Sequence, residues 1–268
     1  MTPAPLVDAS APLDVALVVS ESAARLDYLL TGDGERGRAY ELAGAVASHP
    51  DGAAATRLRD EGVPTEGIDI EAFYDRRDAP LTDRDVRRAY DGRVADALAS
   101  FDPDLVVCSG YRFVLTDPVL DRFAPRLVSA HHADLTLRDG DGEPLYPGLR
   151  AVRDALRDGR AETRETTHVV TSAVDRGPPL VRSRPFAVHE RLVDDALAAS
   201  ADDAFDAYVY AHREWMLRAG GGPTLAKTIE LVADGRVELG DGDGEVLVDG
   251  DPGPYPMGDG SRSGRPDA

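Results

Sequence analysis

A single cysteine, Cys108, stands among 268 residues. One thiol can form neither an intrachain disulfide nor a thiolate-rich zinc site. Lysine is just as scarce: Lys227 is alone, and every other basic side chain is arginine. No run of about 18 apolar residues occurs, so no transmembrane helix is expected. The opening MTPAPLVDASAPLDVALVVSES has no basic segment, and its apolar run Val15–Val19 is too short for a secretion signal. These absences predict a cytoplasmic protein with no membrane partner. Acid, by contrast, abounds, and the formal net charge is −19. Such a surface repels nucleic-acid phosphate, which argues against a nucleic-acid partner. The acid is spread along the chain and lysine is nearly absent, a pattern that fits a halophilic surface adapted to concentrated salt. The charge then describes habitat rather than partner.

What is present is a series of short apolar runs alternating with helical patterns. LDVALVVS, 13–20, reads as a buried strand, and ESAARLDYLL follows with helical spacing. YELAGAVAS, 40–48, is a second strand, DGAAATRLRDEG, 51–62, a short helix, and VPTEGIDI a third extended piece. Residues 82–101 predict an amphipathic helix with Thr82 or Asp83 as cap and Val86, Tyr90, Val94 and Leu98 as its apolar stripe. DPDLVVCSG, 102–110, and RLVSAHH are the next strands, and a helix follows at 149–160. Residues 166–188 read as two strands around an Asp-Arg-Gly-Pro turn, 194–220 as largely helical, and 235–250 as a hairpin around a Gly/Asp turn. Strands apolar on both faces and alternating with helices predict an α/β fold: a Rossmann-like, mostly parallel sheet with helices on both faces and a C-terminal hairpin. One domain is expected over 13–250, with a flexible arm at 1–12 and a disordered tail at 251–268.

In such sheets the ligand crevice lies outside the carboxyl ends of the strands. RLVSAHHADL ends at that edge and holds two of the six histidines. Strand alternation puts Ser129 and His131 on one face and turns His132 away, toward a loop or shell role. His131 by itself is either an ordinary strand-end histidine or a catalytic group, and the residues alone leave both open. A metal bound by both adjacent histidines is awkward, because they point to opposite faces, so no metal is expected. DGDGE, 139–143, lacks the rest of a calcium loop and reads as a solvated turn.

The stretch RLVSAH, then YPGLRAVRDALRDGRAETRETTHVVTSAVDRGPPL, is similar to the core of the folate-dependent formyltransferase family, and within it to the phosphoribosylglycinamide formyltransferases. The shared pattern is a strand ending in a histidine, Tyr-Pro-Gly before a helix, a Thr-x-His strand, and Val-Thr-x-x-x-Asp-x-Gly-Pro. FDPDLVVCSGYRFVL, VASHPDGAAATRLRDEGVPT and VADGRVELGDGDGEVLVDG resemble the family's flanking segments. The resemblance thus runs over about residues 13–250. It implies transfer of a formyl group from 10-formyltetrahydrofolate to a small-molecule amine, glycinamide ribonucleotide in purine biosynthesis, by a monomer or homodimer. His131 and Asp175 occupy the family's catalytic positions, with His168 in support. Tyr111, Arg112, Phe113, Val114 and Leu115 would form one wall of the folate site, and Thr171, Val174 and Asp175 the other. Ser20, Ser22, Arg25 and Glu214 would face the amine substrate.

Three departures bear on that implication. The family's catalytic asparagine is Ser129, and loss of one oxyanion donor costs about 10²–10³ in rate. The family's glycine-rich phosphate loop is Ser20-Glu21-Ser22-Ala23-Ala24-Arg25, although close backbone approach to phosphate favours glycine. The residue after His131, proline in the family, is His132, and a longer loop precedes Tyr146. The departures keep open a noncatalytic folate-binding or regulatory role, and a transferase or hydrolase with a different acceptor.

Overall fold

The computed structural model describes residues 4–31, 36–240 and 245–258. In chain order its first half comprises β1 (Ala4–Pro5), β2 (Leu13–Val19), α1 (Leu26–Thr31), β3 (Tyr40–Ala47), α2 (Ala53–Asp60), β4 (Thr65–Gly67), α3 (Ile70–Asp75), α4 (Arg84–Ala99), β5 (Leu105–Ser109), α5 (Asp117–Phe123) and β6 (Leu127–His131). The second half comprises α6 (Ala151–Arg157), β7 (Glu162–Thr163), β8 (Thr166–Val169), β9 (Pro179–Arg182), β10 (Phe186–Ala187), α7 (Glu190–Ala198), α8 (Asp202–Met216), α9 (Gly222–Ala233), β11 (Val237–Leu239), β12 (Val246–Val248), β13 (Asp251–Pro252) and β14 (Tyr255–Pro256). A π-helical stretch, Leu217–Gly221, joins α8 to α9.

The main sheet has the order β14-β9-β8-β6-β5-β2-β3-β4 among the described residues. From β4 to β6 all pairs are parallel; β8 then runs antiparallel to both β6 and β9. The chain leaves β2 toward β3 on one side and later returns on the other side at β5. This reversal opens a crevice beyond the carboxyl ends of β2 and β5. The α/β fold expected from the sequence is therefore present.

Burial on both faces explains why the strands lack polar alternation. Leu13, Val15, Leu17 and Val19 of β2 pack with Leu26, Leu29, Leu58 and Ile229 of α1, α2 and α9. Ala16 and Val18 face Phe73, Tyr90, Val94 and Val119 of α3, α4 and α5. Asp83 caps α4, its carboxylate accepting from the backbone of Asp85 and Val86.

Two boundaries differ from expectation. Residues 4–7 are not a loose arm: Ala4 and Pro5 pair with Leu239 and Glu238, and Leu6 and Val7 are buried. Residues 251–258 are not disordered either. β13 adds to the β11–β12 hairpin, and β14 lies parallel to β9 with Tyr255 opposite Val181. Both segments are proline-rich edge strands, where the missing N–H can face away from the ladder. The hairpin turn at 241–244 and the tail from 259 lie outside the described residues.

Candidate active site

The loop after β5 and the loop between β8 and β9 face each other across a cavity of about 270 Å³. Tyr111, Arg112, Phe113, Val114 and Leu115 form one wall; Thr171, Val174 and Asp175 stand on the other. Each residue expected at the folate walls thus lines a single cavity. The second loop is held tightly. A Cβ at Gly177 would lie 1.7 Å from the Val169 carbonyl oxygen, so only glycine fits there. Asp175 adopts φ +55°, a left-handed conformation uncommon outside glycine, which aims its carboxylate inward.

Asp175 is the hub of this end. Its Oδ2 accepts from the Gly148 N–H at 2.7 Å and lies 3.4 Å from His131 Nδ1; its Oδ1 lies 3.7 Å from His168 Nε2. His131 donates through Nε2 to the Tyr146 carbonyl at 2.7 Å. His131 is not among the residues that line either cavity, and it meets them through the Asp175 carboxylate that its Nδ1 faces. His168, expected only in support, does line the cavity. Its Nδ1 donates to the Val169 carbonyl, and its buried Nε2 has no partner among the described residues. Burial lowers the His168 pKa, with the Asp175 charge opposing.

A second cavity, about 100 Å³, adjoins the first. Ser129 and Asp175 line both, so they stand at the junction. The second cavity is otherwise rich in cations: Arg25, Arg112 and Arg213, beside Ser22 and His132. Arg25 is buried, and its Nη2 lies 2.8 Å from both Glu165 Oε2 and His132 Nδ1. His132 Nδ1 is also 2.8 Å from Glu165 Oε1. It either accepts from the guanidinium or donates to the carboxylate, according to tautomer. Burial, reinforced by the Arg25 charge, lowers the His132 pKa to about 4. Burial would raise the Glu165 pKa, but Arg25 and His132 outweigh it and hold the group at about 2. The Nε atoms of Arg25 and Arg213 are buried without partners among the described residues. Burial, then the nearby Arg25 charge, lowers the Arg213 pKa. Glu165 balances Arg25, so the uncompensated charge at this cavity is that of Arg213 and Arg112, and the spare Nε–H groups of Arg25 and Arg213 can donate to an anion.

The remaining expected substrate residues separate. Ser20 is buried; its hydroxyl lies 3.0 Å from Ser48 Oγ and accepts from the Arg112 N–H. It ties the ends of β2 and β3 to the loop after β5 and lines neither cavity. Glu214 lines an adjoining hollow with Ser22 and Tyr210 and pairs with Arg218 at 3.3 Å. His132 is a shell residue as expected, but with definite charged partners. Glu165 and Arg213 escaped the sequence reading. Glu165 has one faint signal, a charged Arg164-Glu165 pair entering a buried strand; Arg213 sits in a helix where nothing sets it apart.

Comparison with known proteins fits this arrangement. Residues 13–211 match the family described as formyl transferase. Phosphoribosylglycinamide formyltransferase of Mycobacterium tuberculosis (strain CDC 1551 / Oshkosh) is 34% identical over 159 residues, covering 59% of this chain and 69% of that protein. Formyltetrahydrofolate deformylase of Escherichia coli (strain K12) is 24% identical over 188 residues, covering 70% of this chain and 59% of that protein. The crystal structure of glycinamide ribonucleotide transformylase 1 from Symbiobacterium toebii has a TM-score of 0.64 at 24% identity, covering 88% of this chain and 93% of that one, a likeness of fold. With the family match spanning most of its length, the chain belongs to the formyl transferase family.

Proposed function

We propose that the protein transfers a formyl group from 10-formyltetrahydrofolate to a small amine bearing an anionic group, with glycinamide ribonucleotide as the acceptor. One observation carries this reading: Ser129 and Asp175 sit where a cavity with room for a bicyclic ring meets a cation-lined one. A group passing between molecules in the two cavities must cross these residues. The first cavity suits a flat ring with polar edges. Its walls are apolar, and the buried Tyr111 hydroxyl and His168 Nε2 have no partner among the described residues. The second replaces the missing glycine cradle with guanidinium groups, so the loss of those glycines does not exclude a phosphate.

The folate supplies a formyl carbon attached to N10. The acceptor nitrogen forms a bond to that carbon, the bond to N10 breaks, and one proton moves from the amine to N10. Asp175 is the group placed to take and return that proton through water. His131 Nδ1 shares the carboxylate's proton from behind, while its Nε2 stays fixed on Tyr146. Charge that builds on the formyl oxygen needs donors in a water-poor site. The Ser129 hydroxyl can supply one; His168, with its proton on Nδ1, presents Nε2 to the cavity as an acceptor. Serine is the shorter and freer donor of the two types, so turnover slower than with asparagine is expected.

The test is formyl transfer in concentrated KCl with 10-formyltetrahydrofolate and glycinamide ribonucleotide, beside His131→Ala. Transfer that falls by about 10²–10⁴ in the variant, the range for a lost proton-transfer group, supports the reading. Folate binding without transfer refutes it. The likeness to a deformylase motivates a second reading, water as nucleophile, and formate release without amine would favour it.

A further inference from the structure

Five residues line both cavities: Tyr111, Arg112, Ser129, Leu149 and Asp175. A group in transit passes among them, so the groups that steady its charge come from this set. Leu149 is apolar. The Tyr111 hydroxyl is enclosed, and its ring packs edge-on to Phe113 against the core beside α4. Ser129 offers one hydroxyl. Asp175 is a carboxylate and repels a second negative charge. Arg112 is the one cation of the five.

A cation is needed there. As the acceptor nitrogen adds, the carbonyl electron pair moves onto the formyl oxygen. That charge forms between Asp175 and His168, a carboxylate and an acceptor nitrogen. A lone serine hydroxyl is a small counterweight to both.

Arg112 is mounted with a fixed base and a loose head. Its N–H donates to Ser20 Oγ at 3.2 Å, and Ser20 Oγ lies 3.0 Å from Ser48 Oγ, so the main chain is tied to the ends of β2 and β3. The side chain is 54% exposed. Its guanidinium comes within 3.7 Å of Glu21, itself 63% exposed, and makes no hydrogen bond among the described residues. An exposed pair at that distance holds a side chain weakly. The other arginines of the second cavity differ. Arg25 is buried and bound to Glu165, and neither it nor Arg213 lines the first cavity.

We propose that Arg112 is a catalytic residue: its guanidinium leaves Glu21, turns in over the junction and donates to the formyl oxygen as the acceptor nitrogen adds. This inference rests on the formyl-transfer reading above. The nitrogen–carbon bond forms and the displaced electron pair rests on oxygen, held by Arg112 and Ser129. It returns as the bond to N10 breaks, and the amine proton reaches N10 by way of Asp175. Arginine keeps its charge throughout and loses no proton, so it serves as a donor and not as an acid. The cation and the base stand on facing loops, Arg112 after β5 and Asp175 between β8 and β9, and no ion pair joins them among the described residues. Each can therefore act on the reacting group from its own wall.

The experiment is single-turnover formyl transfer from 10-formyltetrahydrofolate to glycinamide ribonucleotide in concentrated KCl, so that product release does not mask the chemical step. It compares the natural protein, Arg112→Met, Arg112→Lys, and Arg112→Ala with and without guanidinium ion below denaturing concentrations. The rate at saturation should fall by about 10²–10³ in Arg112→Met, the worth of one oxyanion donor, with little change in the half-saturating concentration of either substrate. Arg112→Lys keeps the charge without the fork and should fall less. Guanidinium ion should restore part of the rate to Arg112→Ala, a repair that a misfolded loop would not show. An undiminished rate in Arg112→Met overturns the inference and leaves the formyl-transfer reading standing. So does a defect confined to half-saturation, which would make the arginine a binding group, and so does a rate loss that guanidinium ion does not repair. No transfer by the natural protein overturns the formyl-transfer reading and this inference with it.

Discussion

Replacing Glu165 by glutamine should destabilise the fold more than any surface change. The carboxylate is fully buried, and its two oxygens lie 2.8 Å from Arg25 and 2.8 Å from His132. Arg25 is 3% exposed, so it cannot turn to water when its partner is neutralised. Glutamine also replaces one accepting oxygen by an N–H₂, which either faces the Arg25 donor or requires the His132 tautomer whose Nδ1 accepts. Breaking one partner of a buried ion pair costs about 3–5 kcal/mol. The depression of the Glu165 pKa from 4.5 to about 2 leads independently to a similar figure, about 3 kcal/mol. That contribution is complete above pH 4.5 and is lost as pH falls through about 2. For a chain of this size each kcal/mol moves Tm by roughly 2–4 °C, so a loss of about 6–12 °C is expected near neutral pH. Thermal unfolding followed by circular dichroism in concentrated KCl measures it. Replacing both charges, Arg25→Met with Glu165→Leu, should cost less than Glu165→Gln, because no stranded charge remains. A Glu165→Gln Tm within about 2 °C of the natural protein, less than one kcal/mol, would refute the reasoning. So would a double variant less stable than the sum of its parts.

Three further outcomes are expected. Ser129→Asn restores an amide donor at the junction of the two cavities and should raise kcat for formyl transfer by about tenfold or more, since one such donor is worth about 10²–10³; an unchanged rate in a folded variant counts against Ser129 as the oxyanion donor. Asp91→Asn should stabilise the protein near neutral pH. Burial raises the Asp91 pKa from 3.8 to about 6, so the folded state keeps a proton that the unfolded chain has lost, and stability falls as pH rises across that window. The asparagine oxygen can still accept from Thr116, so the stability difference between variant and natural protein should grow from near zero below pH 3.8 to about 2–3 kcal/mol above pH 6, read from denaturant melts; a difference flat with pH contradicts it. Gly221→Ala would bring a Cβ to 2.6 Å from Arg25 Nε, and with Arg25 tied to Glu165 the overpacking should cost about 1–3 kcal/mol, with a lower Tm as the readout.

Much of the fold was legible because burial writes itself into composition. β2, β3 and β5 are short runs with nearly every position apolar, and β6 begins the same way before Ser129, the pattern of strands covered on both faces. The α4 stripe and its Asp83 cap were legible for the complementary reason, a helical period long enough to repeat. α3 went unread: it spans only Ile70–Asp75, too short for a period to declare itself, and its mark is the Asp69 side chain accepting from Ala72. The edge strands β1, β13 and β14 depend on partners far along the chain and contain proline, so local preference argues against them.

The site divides along the same line. The walls of the first cavity, Asp175 among them, come from contiguous loops, and contiguous residues carry motifs. The charged cluster does not, and it explains two departures that looked separate. The loop that lost its glycines placed Arg25 there, and the position after His131 gained a second histidine. In the fold these are one feature: Arg25 Nη2 touches His132 and Glu165 together. An arginine this buried needs a counter-charge, which Glu165 supplies. It also needs room, which the π-helical turn and its glycines supply, since a side chain at Gly221 would strike Arg25 and one at Gly220 would strike Phe186. Residues from four separate parts of the chain therefore support one guanidinium beside the second cavity. Accidental drift in a disused loop would not require a buried carboxylate, a histidine and a glycine run to accommodate it. Their joint presence is what a rebuilt anion site demands, and it favours an altered acceptor pocket over a decayed one.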